Sequence, residues 1–463
     1  MSERPNSPAS RDIAYHLHPY TNARKHEAEG PFIITEGKGV YVYDDQGKRY
    51  IEGLAGLWCT ALGYGEERLI QAATDQMRKI AYTHSFAQKS HPSVIDLAEK
   101  LIEIAPMPMS KVFFNNSGSE ANDTAVKLIW FYNNARGRPE KKKIIGRIKG
   151  YHGITVASGS LTGLPHNHAD FDLPIQNILH TSCPHHYRFA HEGESEEDFA
   201  TRLAAELEQL ILDEGPDTVA AFIGEPVMGA GGVIVPPATY WDKIQPVLKK
   251  YDVLLVADEV ICGFARTGQM FGSQTYGIKP DIMTMAKALS SAYLPISATL
   301  ISDEIYQAVA DNTAKIGTLG HGFTYSGHPV SAAVSLETLK IYEERDIVSE
   351  VQSKMGLFQE GLRAFTNEDL VGEVRGVGLI GAVELVADKE KKTPFDPVGQ
   401  VGGYLAARAQ HHGIILRNLG DSIGFCPPLI IEPSQIEELM AAFGRALADT
   451  QDWVASEGLA SVA

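Results

Sequence analysis

Residues 251–287 read YDVLLVADEVICGFARTGQMFGSQTYGIKPDIMTMAK, and the fold turns on how this stretch begins and ends. Val253, Leu254, Leu255 and Val256 form an apolar run that stops abruptly at Asp258 and Glu259, as a buried parallel strand does when it delivers a carboxylate to the carboxyl edge of a sheet. A site is expected at that edge. Further on, the apolar segment MTMA (283–286) leads into Lys287, where an ammonium would be costly to bury unpaired.

Two chemistries use such a strand-end carboxylate. In a nucleotide-hydrolysing fold it would need a G-x-x-x-x-G-K-[ST] phosphate loop, which the chain does not contain. In the other, a desolvated lysine forms a Schiff base with pyridoxal phosphate, and the carboxylate keeps the pyridine nitrogen protonated so that the ring accepts electrons. A lone lysine is more often a solvated surface residue, so this reading needs support from the rest of the chain.

With 463 residues the chain exceeds one ordinary core and suits a large domain with a smaller companion. An apolar share of 44% and a charged share of 21% place it among globular proteins. Its 41 basic against 58 acidic residues give a net charge of −17, which repels nucleic acid and anionic membrane surfaces, so an anionic ligand must be held by local donors. The N-terminal MSERPNSPASRDIAYH lacks the apolar core of a signal peptide, and no run approaches a spanning helix; a cytoplasmic protein is expected. Cys59, Cys183, Cys262 and Cys426 are widely spaced, as in reduced thiols. Cys183, His185 and His186 lie close together in HTSCPHHYRFAH, but match no zinc spacing, and no metal is expected.

Residues 1 to about 30 are polar and suggest an arm or short helix. FIITEGKGVYVYDDQGKRYI (32–51) alternates around a D-D-Q-G turn and predicts a β-hairpin, and the glycine-rich GLAGLWCTALGYG that follows reads as a cavity-lining loop, with Trp58 equally able to be a packing residue. Residues 67–104 carry two helical stretches. In KVFFNNSGSEAND a strand enters a serine-glycine-serine turn and then a helix, which offers free N–H groups and hydroxyls to a phosphate, or simply a helix cap at Ser117 or Ser119. IIGRIKGYHG runs from strand to turn and presents Tyr151, able to stack on a flat ring; VAAFIGEPV ends in Glu225. The repeated unit of helix, strand and polar residue at the strand's end predicts a three-layer α/β/α domain with its site along one edge. VSAAVSLETLKIYEERDIVSEVQSKMGLFQEGLRAF (330–365) reads as a long helical bridge to an α+β C-terminal part, with GIILRNLG and IGFCPPLII as strands. Gly376, Gly378 and Gly381 spell G-x-G-x-x-G, but strand-like alternation follows where a dinucleotide fold needs a helix.

SGSEAND, GYHG, GEP, LLVADEVICGF, AKALSS and HGFTYSGHP occur in this order, and in that set the chain resembles the class III pyridoxal-phosphate aminotransferases of fold type I over roughly residues 30–450. GLWC, GEPVMGAGGVIVPPATYW, DEVICGF and the arginine of ILRNLGD look more narrowly like the amine:pyruvate ω-transaminases. The resemblance implies a large pyridoxal-phosphate domain at 71–335, with mainly parallel sheet, and a small α+β domain built from 336–463 and the arm and hairpin of 1–70. It implies Lys287 as Schiff-base lysine and proton shuttle and Asp258 on the pyridinium nitrogen. Tyr151 would stack on the ring with Val260 on its other face, and Glu225 would sit near the phenolic side. Ser117, Gly118 and Ser119 would hold the phosphate, with His152 also near the cofactor. Trp58, Phe86, Tyr151 and Arg417 would shape the substrate pocket, and Arg417 would meet a keto-acid carboxylate. It implies a homodimer with shared sites, or a pair of dimers, in which Thr324 reaches the partner's phosphate.

An ordinary lysine, with a pKa of about 10.4, is neutral in only about one molecule in 2,500 at pH 7, so desolvation and a cationic ring are needed to make its amine usable. The expected reaction is a ping-pong transfer from an amine to pyruvate. Its competitors are a donor such as β-alanine, taurine, a diamine or another ω-amino acid, a racemase-like relative, and a non-catalytic pyridoxal-phosphate binder. Ala265, Ala288 and Ala292 stand where the family commonly has glycine, and put the fine shape of the pocket in question.

Overall fold

The structure, a computed structural model, describes residues 6–459; the first five residues of the polar N-terminal stretch lie outside the described residues. Its centre is a seven-stranded sheet in the order Lys111–Asn115, Ser297–Ile301, Ile282–Met285, Leu254–Asp258, Val219–Gly224, Lys143–Arg147, Ile178–Thr181. Ser297–Ile301 runs antiparallel to both its neighbours, and the other pairings are parallel. Successive residues of the central strands serve opposite faces. Ile144, Ile223 and Val256 pack with Ala125, Ile129 and Tyr132 of the helix Gly118–Ala135, whereas Ile145, Phe222 and Leu255 pack with Phe199, Leu203, Trp241 and Ile244 from the helices Glu196–Glu214 and Tyr240–Lys250. The three expected layers follow, because strands covered on both faces must be apolar at every position.

Two four-stranded sheets complete the architecture. Ile34–Lys38, Tyr41–Asp44 and Arg49–Glu52 form the expected antiparallel piece, and Ile414–Ile415 joins it parallel to Arg49–Glu52, so early and late parts of the chain share a sheet. Val371–Val377, Ile380–Leu385, Ser422–Phe425 and Arg417–Leu419 form the other, wholly antiparallel. The G-x-G-x-x-G glycines belong to its first hairpin: Gly376 pairs with Gly381, and Gly378, at φ +58°, has no room for a Cβ, which would meet Arg266 O at 2.3 Å. No helix opens there.

Three readings need correction. The long helical bridge is two helices, Pro329–Glu344 and Ile347–Arg363, broken where Asp346 adopts φ +45° and caps the second. Asp is a common cap, but no glycine or proline marks the break. GIILRNLG divides between two sheets, and in IGFCPPLII the strand ends at Phe425 because Pro427 and Pro428 cannot donate to a ladder.

Ala265 and Ala292 adopt φ +70° and +62°, in the left-handed region that costs an L-residue about 1–2 kcal/mol. Glycine there removes the strain but gives the unfolded chain back about 0.4–1 kcal/mol of freedom. Ala292 is exposed and loses no packing, whereas Ala265 is fully buried and would also lose a methyl worth about 0.8 kcal/mol. Urea denaturation should therefore find Ala292→Gly stabilised by about 0.5 kcal/mol and Ala265→Gly lower by about 0.8 kcal/mol; equal values would show that the backbone, not the methyl, sets the difference.

Candidate active site

The strand Leu254–Asp258 sends Asp258 and Glu259 to opposite sides, and their surroundings separate their roles. Glu259 accepts from Gly272 N, Ser273 N and Ser273 Oγ at 2.9, 2.6 and 2.6 Å, which staples the following loop, and burial pushes its carboxyl up to about 7. Asp258 faces the cavity. Its Oδ2 accepts from Asn122 Nδ2 at 2.9 Å and from His152 Nδ1 at 2.7 Å, while Oδ1 accepts from Val260 N at 3.1 Å. Three donors satisfy this carboxylate in a site that is almost dry.

The cavity, of about 130 Å³, brings together Gly118, Ser119, Tyr151, His152, Glu225, Val260 and Lys287 with Asp258. Ser117 caps the helix Gly118–Ala135 by accepting from Glu120 N at 3.2 Å, which is the capping reading of the turn, whereas Ser119 Oγ accepts from Ile154 N at 3.1 Å and ties the helix to the loop after Tyr151. A Cβ at Gly118 would approach the Val260 methyls to 3.2 and 3.3 Å; glycine leaves the helix N-terminus open beside the cavity. Glu225 is buried and accepts from Tyr151 N at 3.0 Å and Gly229 N at 2.9 Å, and burial raises its pKa against the opposing field of His152.

Lys287 opens a short 3-10 turn at φ +46°, just past the strand Ile282–Met285. Burial lowers its pKa, against the opposing fields of Cys59, Asp258 and Glu225. Asn122 Oδ1 and His152 Nε2, both in residues of the cavity wall, are buried without hydrogen-bond partners. Such orphaned polar atoms mark a place built for another polar group.

The remaining sequence candidates lie outside this cavity. Trp58 is buried among Leu54, Val227, Ile261 and Cys426, and of these Ile261 itself lines the cavity. Phe86 is half exposed against Gly322, and Thr324 is exposed, its carbonyl accepting from the Tyr82 hydroxyl at 2.8 Å. The Arg417 side chain makes no hydrogen bond or ion pair among the described residues, and its charge opposes the rise that burial imposes on the Tyr151 hydroxyl. Cys183, His185 and His186 diverge: the first packs on Met228 and Ile234, the second meets Glu373 at 2.8 Å, the third meets the Glu194 carbonyl at 2.8 Å.

Sequence reasoning missed two residues. Asn122 stands one helical turn after Ser119, a spacing that puts both on one face, and this was the available signal. Tyr20, from the N-terminal arm, interacts with the Tyr151 hydroxyl, and nothing in the polar arm announced it.

The family model described as aminotransferase class-III matches residues 22–447. The chain belongs to the class-III aminotransferases. These enzymes use pyridoxal phosphate, and the lysine, the carboxylate and the open helix N-terminus of the cavity fit that group. The chain is 54% identical to "Gamma aminobutyrate transaminase 3, chloroplastic" of Solanum lycopersicum, over 92% of this chain and 82% of the relative. It is 55% identical to "Probable gamma-aminobutyrate transaminase 2, mitochondrial" of Oryza sativa subsp. japonica, over 92% and 86%. Among solved structures, the omega transaminase from Pseudomonas jessenii in complex with PMP is 60% identical, with a TM-score of 0.96 over 97% of this chain and 99% of that one. A thermostable omega transaminase variant engineered for asymmetric synthesis of enantiopure bulky amines gives the same identity and TM-score over 97% and 100%.

Asn122→Ala would remove one charge-assisted bond to Asp258, worth about 1.5–3 kcal/mol, and should weaken pyridoxal-phosphate binding by at least about tenfold in equilibrium dialysis; unchanged affinity would mean that His152 alone positions the carboxylate. In the cofactor-free protein only the unprotonated Lys287 amine attacks an aldehyde. Since its folded pKa is lowered, the attacking fraction grows as pH rises through that depressed value and levels off before 10.5. Stopped-flow uptake of pyridoxal phosphate against pH checks this, and a rate still climbing at 10.5 would contradict it.

Proposed function

We propose that this class-III aminotransferase moves an amino group from a primary amine to pyruvate, forming alanine by a ping-pong route. The observation that carries the reading is the pairing of Lys287 and Asp258 on one cavity, with Arg417 unpaired nearby. When bound, pyridoxal phosphate supplies the electron sink and carries the amino group between the two half-reactions.

In this reading Asp258, held by Asn122 and His152, keeps the ring nitrogen protonated. Tyr151 and Val260 take the two ring faces, and Glu225 stands at the phenolic side. Ser117, Gly118 and Ser119 hold the phosphate with their N–H groups and hydroxyls, completed by Thr324 of the partner subunit in a homodimer. Lys287 Nζ, desolvated and therefore available unprotonated, holds the cofactor at rest and moves the proton at the carbon that bears the amino group. Trp58 and Phe86 shape the pocket for an apolar donor. Arg417 has no competing partner, so its guanidinium is free to turn onto the pyruvate carboxylate and away for an apolar amine. Four free thiols suit a reducing compartment such as the cytoplasm.

A second reading has specific support: the curated relatives are named γ-aminobutyrate transaminases, and the same Arg417 suits the carboxylate of an ω-amino acid donor. Alanine formation from pyruvate with a panel of donors separates the two. The first reading expects the apolar amine 1-phenylethylamine to outpace γ-aminobutyrate; alanine from γ-aminobutyrate or β-alanine alone would replace it with the second. Lys287→Ala should abolish turnover with every donor, and a near-normal rate would overturn the assignment. Arg417→Ala should raise KM for pyruvate by about tenfold or more while leaving KM for the apolar amine within about threefold of the parent value; an equal rise for both substrates would place Arg417 outside carboxylate recognition.

A further inference from the structure

The N-terminal arm holds a cluster that the transfer reaction does not use. The helix Pro8–Tyr15 presents Asp12, the chain turns through residues 16–22, and the helix Ala23–Glu29 returns with His26. Three imidazoles converge on one carboxylate: His18 Nε2 lies 2.7 Å and His26 Nε2 3.0 Å from Asp12 Oδ2, and His16 Nδ1 lies 3.4 Å from Asp12 Oδ1. The rings themselves are close, with centroids 4.1 Å apart for His16 and His18 and 4.3 Å for His18 and His26.

The ligand atoms of Asp12, His16 and His18 all lie within 4.8 Å of one another. In a tetrahedral zinc site with metal–nitrogen bonds of about 2.0–2.1 Å, donor atoms stand about 3.3 Å apart, so the observed separations need only small side-chain movements to close on an ion. His26 Nε2 is the second observation. It is buried, with only 11% of its side chain exposed, yet it makes no geometrically sound hydrogen bond despite its nearness to Asp12. A buried nitrogen 3.0 Å from a carboxylate that satisfies no hydrogen bond is left free for another partner, such as a metal. His16, 59% exposed, leaves the cluster open to solvent for entry, beside a cavity of about 250 Å³.

We propose that Asp12, His16, His18 and His26 bind one divalent cation of the zinc class, and that the ion pins the two arm helices together. Three imidazoles and one carboxylate are a donor set that zinc favours over magnesium or calcium, which prefer all-oxygen shells. Pinning matters because residues 16–22 carry Tyr20, whose hydroxyl accepts from Asn167 Nδ2 at 2.5 Å and stands against the hydroxyl of Tyr151. The ion thus fixes the loop that covers the active-site tyrosine.

The test titrates zinc chloride into untagged, pyridoxal-phosphate-loaded enzyme by calorimetry, with metal content measured by mass spectrometry after dialysis. The expected result is one zinc per chain, weakened by at least about tenfold in His18→Asn and in His26→Leu. His16→Asn, at the exposed ring, should weaken it too and keeps the test decisive if a buried replacement misfolds. Tryptic cleavage at the exposed Arg24 and Lys25 should slow several-fold with zinc in the parent enzyme and not in the variants. Absence of saturable zinc binding, or binding unchanged in all three variants because the ion sits on thiols or cofactor, would overturn the proposal, and cleavage indifferent to zinc would overturn the pinning.

Discussion

A carboxylate that must find donors at the end of a buried strand is the constraint around which this molecule is built. Asp258 meets it with donors from three separate elements: Asn122 from the helix that follows the first strand of the large sheet, His152 from the turn after Lys143–Arg147, and Val260 from its own chain. Each donor arrives only if the strands are ordered as they are and the helix packs on the face that carries Ile223 and Val256. Sheet order and site geometry are therefore one requirement. Glu259, a residue later and on the opposite side, spends its oxygens on a loop instead, so the period of the strand sends one carboxylate to the cavity and its neighbour to the loop.

The lysine is placed by register. Asp258 pairs with Thr284 across the parallel ladder, so the chain leaving Ile282–Met285 turns into Lys287 close to the carboxyl edge where Asp258 emerges. The site sits at the carboxyl ends of parallel strands, where this class of fold opens its crevice. The positive φ of Lys287 is strain held at the cavity wall, and the buried turn around Ala288 and Leu289 holds it there. Burial then does chemical work by disfavouring the ammonium.

What was legible in the chain was whatever a periodic or local signal encodes. The apolar runs at 219–224 and 254–258 announced strands covered on both faces, and the ordered motifs placed Lys287, Asp258, Tyr151, Glu225 and the serine turn on one edge. Residues whose role depends on distant packing were not legible. Trp58 lies in a glycine-rich stretch that reads as a loop, but its ring finds apolar partners from four parts of the chain. Tyr20 sits in a polar arm, and its meeting with Tyr151 rests on long-range docking. The break at Asp346 escaped because an aspartate cap looks like any exposed helical acid until its backbone turns left-handed. Thr324 and Phe86 stand outside the cavity that gathers the other candidates, since their surroundings are set by packing that local sequence spacing does not encode.

Borohydride reduction of the pyridoxal-phosphate-loaded enzyme, followed by peptide mass spectrometry, bears most directly on whether the desolvated amine beside Asp258 is the group that holds the cofactor. The expected result is a single pyridoxyl label on Lys287. A label on any other lysine, or none at all, would contradict it.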